Sequence, residues 1–370
     1  MRSSTRIAGI DHLRAIAAGA VFVAHLFGLV LQNPAPSRKE IWPQFHDTIQ
    51  TLIMSLGGFG VGLFFVLSGL CIHLPVARGD HFDLRSYLRR RFLRIYPPHA
   101  IILLASCVLA MAIDPPHLGI PDRMLSTPTW RQLLAHVLMV HSFFRWAIYS
   151  INGILWTIAI ETHFYLLYPL LLAARRRFPM PAITVALLVL CLVSRAMKRY
   201  AFPDSDFVVY DSFLGRWWEW ALGCIVAELI VLRPAPKPLS MLAWGALLFS
   251  LAVALSGYFT PAPKIVLGFI CPPLFALVAW LWSLSNTTGW SALDRTLYET
   301  GVRSYSLYLT HPMSFSIARL LRASPLTEGS VSLLFGILIW LAFFRLCEQP
   351  FMRIVRKIPP VKEYSPRTAF

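Results

Sequence analysis

Apolar residues in this chain are collected into long runs that are separated by short polar segments. Ten of the runs approach 20 residues, the length of α-helix that crosses the hydrocarbon core of a bilayer. Proline and glycine mark several of their boundaries, as in RPAPKP at 233–238. The pattern predicts an all-α polytopic membrane protein whose ten transmembrane helices lie at 10–32, 52–75, 95–113, 154–174, 182–201, 214–232, 240–257, 265–285, 303–323 and 329–347.

The composition agrees with a chain that is embedded in a membrane. Of the 370 residues, 56% are hydrophobic and only 14% are charged, whereas soluble domains are about 25% charged. The net charge of +16 raises the alternative of a nucleic-acid-binding protein. However, the basic residues form no continuous face or arm, and they lie between lipid-like runs. We therefore expect a lipid bilayer around the chain and no nucleic acid partner.

The distribution of positive charge orients the predicted helices. Of the 34 Lys and Arg residues, 20 fall in the N-terminus and in the alternate segments 76–94, 175–181, 233–239, 286–303 and 348–370. Short loops rich in Lys and Arg stay on the cytoplasmic side of a membrane. The pattern predicts that both termini are cytoplasmic and that residues 114–153 are extracytoplasmic. The first segment contains charged residues, so we expect it to remain as a membrane helix rather than be cleaved as a signal peptide.

Two ionisable residues share one face of the first segment. Arg14 and His25 are eleven residues apart, which is about three turns of an α-helix. A guanidinium suits a phosphate, and an imidazole titrates near neutral pH and can act as a base. Charged groups inside a bilayer are costly and usually serve a function. The alternative is structural: Arg14 would be a topology anchor that reaches the membrane surface, and His25 a hydrogen-bonded core residue.

A further carboxylate, Glu161, lies among apolar and aromatic residues in WTIAIETHFYLL. It could orient His25, tune the pKa of that imidazole, act as the base itself, or form a buried ion pair with Arg14 or Arg216. The sequence contains no HExxH motif or three-ligand cluster, and its six cysteines are isolated within apolar runs. We therefore expect neither a metal site nor a disulfide framework.

Several stretches together indicate a family. Arg14 and His25 form an R-x10-H motif, which is followed in order by FGVGLFFVLSGLCI (59–72), LRRRFLRIYPPH (88–99), NGILWTIAIETHFYLLYPLLL (152–172), GRWWEWALGCIVA (215–227), SYSLYLTHPM (304–313) and CEQPF (347–351). This series resembles the motifs of acyltransferase family 3, bacterial membrane acyltransferases that modify glycans and some small molecules. Each stretch alone is weak evidence. Together they occur in the same order as the motifs of the family and cover nearly the whole chain, which makes the resemblance strong.

The resemblance implies a membrane-bound O-acyltransferase, most often an O-acetyltransferase, in the bacterial inner (cytoplasmic) membrane. Its donor substrate would be cytoplasmic acetyl-CoA or another acyl-CoA. Its acceptor would be a hydroxyl of a cell-surface carbohydrate such as a lipopolysaccharide or exopolysaccharide. Arg91 and Arg94 match the RxxR motif of the family, and with Arg90 they are the candidate acyl-CoA ligands. The same arginines could instead serve only as topology anchors.

The resemblance also implies roles for individual residues. Arg14, His25 and Glu161 are the candidate catalytic residues. His25 would take a proton from the acceptor hydroxyl or carry the acyl group as an acyl-imidazole, and the sequence leaves both open. The candidate substrate-binding residues are Asn152, Trp156, Arg216, Tyr305 and His311. His311 precedes a proline, so a role in kinking its helix is an equal alternative for that residue.

We expect one acyltransferase-like transmembrane domain at 1–352 and a short basic cytoplasmic tail at 353–370. Larger family members carry an additional hydrolase-like domain, and we expect a stand-alone transfer domain here. The competing interpretations are a transporter or flippase of an acyl or glycan intermediate, and a non-catalytic scaffold. The paired repeats and broken helices that are typical of transporters are not found in this sequence. Assembly as a homodimer stays open.

Overall fold

The computed structural model of the protein describes residues 7–31, 43–113, 115, 120, 125–232, 240–256, 264–284, 291–320 and 325–358. These residues are mostly helical, and no β-strand occurs among them. An isolated antiparallel bridge joins Phe144 to Phe207 in the connecting segments. The all-α class that the apolar runs predict is confirmed.

Every predicted transmembrane segment coincides with a helix. The helices are α1 (Ala8–Leu31), α2 (Pro43–Ala77), α3 (Leu84–Ile113), α4 (Trp130–Val137), α5 (Leu155–Arg175), α6 (Met180–Ala196), α7 (Phe213–Leu232), α8 (Ser240–Ser256), α9 (Lys264–Leu284), α10 (Ser291–Val302), α11 (Ser304–Arg319), α12 (Pro325–Phe343) and α13 (Gln349–Lys357). Short π-helical turns extend α6 over Met197–Ala201 and join α12 to α13 over Phe344–Glu348.

Six helical stretches of the described chain are long and apolar enough to cross a membrane. They are Gly9–Gly28, Ser55–Ala77, Leu84–Ile113, Leu155–Arg175, Met180–Ala201 and Gly329–Lys357, and two shorter apolar helices lie at Met241–Ser256 and Gly268–Leu284. The helix α7 has sufficient length but carries Arg216, Glu219 and Glu228, and α11 has only 16 residues. The protein is therefore a polytopic membrane protein, while the orientation of its helices stays a prediction from the charge pattern.

The basic stretch 85–94 is helical, although its high charge predicts a loop between two membrane helices. The helix α3 begins at Leu84 and runs without interruption into the apolar segment that starts at 95. Leucine and arginine, which dominate this stretch, are good helix formers, so no break occurs where the hydropathy changes. The hydropathy pattern also does not predict α4, α10 or α13, which are short or polar helices. The last of these crosses the predicted domain boundary at 352, and residues 359–370 of the predicted tail lie outside the described residues.

Glycines allow α2 and α7 to approach until their backbones touch. A Cβ atom on Gly69 would lie 2.0 Å from the carbonyl oxygen of Trp220, and one on Gly223 would lie 2.0 Å from that of Val66. No side chain larger than hydrogen fits at such distances. The crossing places Ser68 beside Trp220, whose indole Nε1 donates a hydrogen bond to the Ser68 hydroxyl at 3.2 Å.

A buried histidine cluster attaches α4 to α3. The ring Nε2 of His99 on α3 lies 3.3 Å from the backbone carbonyl oxygen of His136, and the His136 and His141 rings stack with centroids 3.8 Å apart. All three histidines are fully buried. Burial lowers the pKa of His136 to about 4. Burial together with the neighbouring histidines lowers the pKa of His141 well below its ordinary value.

Lowering the pH from 7 to 5 is expected to reduce the midpoint of thermal unfolding. His136 binds its proton near pH 6.5 in the unfolded chain but only near pH 4 in the folded protein. The stability is therefore complete above about pH 6.5 and is lost as the pH falls towards 4. This shift in the pKa of His136 corresponds to about 3 kcal/mol when fully developed. Unfolding of the detergent-solubilised protein, followed by intrinsic fluorescence at both pH values, measures the effect.

The variant His141→Phe provides the comparison, because phenylalanine keeps an aromatic ring against His136 but cannot be protonated. We expect a smaller loss between pH 7 and 5 in this variant than in the wild type. If both proteins lose the same number of degrees, acid sensitivity arises from other groups and the histidine cluster does not cause it.

Candidate active site

A large cationic cavity lies between α1, α2, α3 and α13. We call it the vestibule; its volume is about 510 Å³. Two acidic residues, Asp11 and Asp80, line it beside a larger number of basic ones, namely Arg14, Arg78, Arg91, Arg94 and Arg356. An excess of guanidinium groups in a concave site favours a polyanionic ligand, particularly one that carries phosphates.

Arg91 is held in place by aromatic rings. Its guanidinium carbon lies 5.8 Å from the centre of the Tyr87 ring and 5.5 Å from that of Tyr165. Because the side chain is ordered before a ligand arrives, less entropy is lost when it binds one. Arg94 lies nearly one turn further along α3 and also lines the vestibule, so the two residues of the RxxR motif share one cavity. Arg90, the third predicted ligand of acyl-CoA, is not among the residues that line it.

A second, narrow cavity adjoins the vestibule, and Arg14 lines both. We call it the slot; its volume is about 60 Å³. Its remaining walls come from α2, α5 and the beginning of α11, and they are mostly apolar or aromatic. The residues are Val61, Phe64, Phe65, Ser68, Thr157, Ile158, Glu161, Ser304, Tyr305 and Tyr308. Three of the predicted site residues, Arg14, Glu161 and Tyr305, thus line the same cavity.

Glu161 is the acidic residue of the slot and is held by a hydrogen-bond network. Its Oε1 accepts a hydrogen bond from the Ser68 hydroxyl at 2.8 Å and another from the Tyr165 hydroxyl. Trp220 donates to the same serine. Among the described residues, no hydrogen bond reaches the second carboxylate oxygen, Oε2. The network therefore fixes the carboxylate and leaves one oxygen available to a substrate.

Sequence reasoning missed the residues that hold Glu161. Tyr165 follows Glu161 by four positions, and this helical spacing is a signal that could have identified it. Ser68 and Trp220 lie far from Glu161 along the chain, and only the crossing of α2 with α7 brings them there. Within the described chain, Glu161 makes no ion pair with Arg14 or Arg216. Arg216 pairs instead with Glu219 at 3.3 Å.

His25 lies outside the slot and the vestibule. Its Nδ1 lies 2.9 Å from the carbonyl oxygen of Val21, one turn earlier on α1. A carbonyl oxygen accepts but cannot donate, so this bond favours the tautomer with the proton on Nδ1 and leaves Nε2 free to accept a proton. The ring centre of His25 lies 4.9 Å from that of His311 on α11. The two predicted histidines are therefore neighbours.

Tyr308 and His311 connect the slot to His25. Tyr308 lines the slot, and its hydroxyl accepts a hydrogen bond from Thr157 at 2.8 Å. The Tyr308 ring centre is 5.8 Å from that of His311, which in turn packs against His25. Glu161 and His25 lie at opposite ends of this row and do not contact each other. Among the described residues, no hydrogen bond joins the His25 imidazole to the Glu161 carboxylate.

The other predicted substrate-binding residues are placed differently. Asn152 is fully buried, and its amide donates to the Ser106 hydroxyl on α3 at 3.0 Å. Trp156 is half-buried, with its ring centre 6.3 Å from that of Tyr149. The Arg216 guanidinium lies 5.3 Å from the centre of the Phe65 ring, behind a wall of the slot. None of these three side chains lines the slot or the vestibule, so their role in substrate binding stays a prediction.

The fold defines an integral membrane protein that encloses a cationic vestibule and a narrow slot between its helices. The chain belongs to acyltransferase family 3, whose model, described as an acyltransferase domain, matches residues 7–345. Membership of this family makes the protein an acyltransferase and favours the enzyme over a transporter or a scaffold.

Two relatives are similar over most of the chain. Acyltransferase MdmB of Streptomyces mycarofaciens is 25% identical over 326 residues, which cover 83% of this chain and 79% of the relative. The putative peptidoglycan O-acetyltransferase YrhL of Bacillus subtilis (strain 168) is 28% identical over 283 residues, which cover 69% of this chain and 44% of that protein. No solved structure matches the chain.

Proposed function

We propose that this acyltransferase transfers an acetyl group from cytoplasmic acetyl-CoA to a hydroxyl of a cell-surface carbohydrate in the bacterial inner membrane. The observation that carries the proposal is that Arg14 lines both cavities. A cationic vestibule suits the phosphates of coenzyme A, and a narrow slot beyond it suits a small acyl group. The printed name of one relative, putative peptidoglycan O-acetyltransferase, supports a glycan acceptor.

The donor assignment rests on the charge of the vestibule. Acyl-CoA is a polyanion that cannot enter lipid, so its binding site must present cations at the membrane surface. Arg91 and Arg94 lie on one helix, and their planar guanidinium groups can contact phosphate oxygens with two hydrogen bonds each. Arg14 lies where the vestibule meets the slot, so it is placed to position the donor and to counter negative charge near the thioester.

The proposed reaction moves one proton from the acceptor hydroxyl to coenzyme A. The acceptor oxygen attacks the thioester carbonyl carbon while a base takes the hydroxyl proton. The carbon–sulfur bond then breaks, and the base returns the proton to the departing coenzyme A thiolate. His25 is the proposed base, since its Nε2 is free while Val21 holds the other nitrogen. The same free nitrogen could first accept the acyl group and then pass it to the acceptor. Tyr308 and His311 lie between the slot and His25. In both routes these two side chains must therefore move aside before the imidazole can reach the thioester.

A release assay on purified protein tests the proposal. The full chain in lipid nanodiscs is mixed with radiolabelled acetyl-CoA and with membrane glycan fractions, and free coenzyme A and labelled glycan are measured. We expect coenzyme A release that increases when glycan is added, with the label in a base-labile ester. Absence of coenzyme A release from a folded protein, with every glycan fraction tested, would contradict the assignment of donor and reaction.

The size of the slot predicts the length of the acyl group. A volume of about 60 Å³ holds only a few water-sized groups. Replacing Ile158 by alanine is expected to enlarge the slot and to shift selectivity from acetyl-CoA towards butyryl-CoA. Since each methylene in an apolar pocket changes discrimination by about tenfold or more, the ratio of kcat/KM values should rise by at least that factor.

The matched control is Ile160→Ala, which removes the same atoms from the same helix at a buried position that does not line the slot. Both variants create a cavity and lose stability, so the control separates a general loss of activity from a change in selectivity. An unchanged butyryl-to-acetyl ratio in Ile158→Ala would show that the acyl group binds elsewhere.

A further inference from the structure

A third cavity lies between α2, α5 and α7 and shares no lining residue with the vestibule or the slot. Its volume is about 710 Å³, within the range of ligand-binding pockets. It is found where α2 and α5 end, which is the end of the bundle that the charge pattern places at the cytoplasm. The proposed transfer reaction makes no use of it.

The acidic residue of this cavity is already neutralised by its neighbours. Arg175 contacts Glu228 through Nε at 2.6 Å and through Nη2 at 3.2 Å. The ring of buried His73 lies between the Glu228 carboxylate, 3.3 Å from Nε2, and the Tyr168 hydroxyl, 3.0 Å from Nδ1. With both oxygens of Glu228 occupied, the carboxylate is a fixed part of the wall and presents no free negative charge to an incoming ligand.

Uncompensated positive charge lies at the mouth of the cavity. Arg176 is exposed, and within the described chain its side chain makes no hydrogen bond or ion pair. His81 is also exposed and lines the same mouth, where its ring can donate a hydrogen bond to an anion, and the Asp83 carboxylate is its electrostatic neighbour. Because Arg175 is already paired with Glu228, the net charge of the cavity is positive. An anionic group, such as a phosphate, is therefore the preferred partner at this mouth.

The remainder of the cavity is apolar and continues onto the lipid-facing surface. Val76, Phe82 and Leu172 line its floor. Leu232 lies at the edge of the cavity and is 73% exposed. Leu170, two residues before the lining residue Leu172 on α5, is 62% exposed. On a membrane helix such exposed leucines face acyl chains. A soluble anion would bind only at the cationic mouth. A phospholipid would contact the mouth with its phosphate and the apolar floor with an acyl chain.

We propose that this cavity binds an anionic phospholipid of the cytoplasmic leaflet. The phosphate lies at Arg176 and His81, and one acyl chain follows the apolar floor between α5 and α7. Basic pockets between transmembrane helices on the cytoplasmic side are suited to anionic head groups. The lipid would hold together the ends of α2, α5 and α7, and α5 also carries Glu161 and the slot wall.

The test compares lipid binding by the full-length wild type, Arg176→Ala and Arg177→Ala. Arg177 is the matched control, since it is the next residue, is also exposed and does not line the cavity. Each protein is delipidated in detergent and given phosphatidylglycerol, phosphatidylcholine or inorganic phosphate. Retained lipid is counted by native mass spectrometry, and the midpoint of thermal unfolding is recorded. Neither measurement involves acyl-CoA, so its outcome is independent of the proposed reaction.

We expect phosphatidylglycerol to be retained by the wild type and by Arg177→Ala, and to raise their unfolding midpoints by several degrees. Arg176→Ala should retain little phosphatidylglycerol and should show only a small rise in its unfolding midpoint. Phosphatidylcholine should be retained poorly by every variant and should change the midpoint little. A second variant, Leu172→Trp, fills the floor and should also reduce retention. Equal retention in the two arginine variants, no preference between the two lipids, or a full shift with inorganic phosphate alone would overturn the proposal.

Discussion

Acyl transfer is expected to fall by about 10²–10⁴-fold when His25 is replaced by glutamine, the loss typical of a missing base. Glutamine can keep the hydrogen bond to the Val21 carbonyl through its amide, but it has no nitrogen that accepts a proton at neutral pH. It also cannot carry an acyl group as an imidazole does. Incorporation of labelled acetyl groups into glycan, in inverted membrane vesicles that contain equal amounts of each protein, measures the effect.

His163→Gln is the matched control for this substitution. His163 lies on α5, stacks on Phe143 with centroids 4.6 Å apart and lines neither cavity. We expect this variant to retain most of the activity, and we expect His25→Gln to bind acetyl-CoA normally. An active and stably folded His25→Gln protein would remove His25 from the chemistry. Glu161, whose carboxylate lines the slot, would then be the better candidate for the base.

Replacing both Arg91 and Arg94 by alanine is expected to weaken acyl-CoA binding by about a hundredfold or more. Each charge-assisted hydrogen bond contributes about 1.5–3 kcal/mol, and the two residues supply the guanidinium groups that α3 presents to the vestibule. Lysine at both positions should recover only part of the affinity, because it keeps the charge but not the planar fork. Titration of the purified variants with acetyl-CoA in a calorimeter gives the dissociation constants.

The double variant Arg85→Ala/Arg89→Ala provides the control for charge. It removes two arginines from the same helix, at exposed positions that do not line the vestibule. Its affinity for acetyl-CoA should stay within a few-fold of the wild type when measured at moderate salt, since exposed charges beyond contact distance are screened. Equal losses in the two double variants would mean that the RxxR arginines act only through the overall charge of this surface.

The sequence was most informative where one local property decides the structure. Each apolar run coincides with a helix because about 20 apolar residues have few other ways to satisfy their backbone groups in a bilayer. The series of motifs was sufficient to identify the family. Helices that are not apolar were not predicted. The basic stretch 85–94 is helical and continues α3. The short helix α4 is marked by a capping box of Thr129 and Gln132, which a hydropathy pattern does not detect.

The candidate site could be predicted only in part, because contacts between distant segments build it. Arg14 and Glu161 were recognised as charges in apolar surroundings, and the structure places them around one slot. The partners of Glu161 could not be predicted, since Ser68 and Trp220 look like ordinary membrane residues until α2 crosses α7. The surroundings of Asn152 could not be predicted either. The resemblance to the family made it a candidate for substrate binding, and the structure shows that its amide is buried and donates to the Ser106 hydroxyl.

The contact between α2 and α7 also sets limits for anyone who wishes to redesign this enzyme. Gly69 and Gly223 leave space for hydrogen only, so even alanine would force two backbones apart and separate Ser68 from Trp220. Libraries that aim at new acyl donors should therefore leave these two positions unvaried. Diversity is better placed at Val61 and Ile158, where side chains of different sizes reshape the slot while the crossing beneath it is preserved.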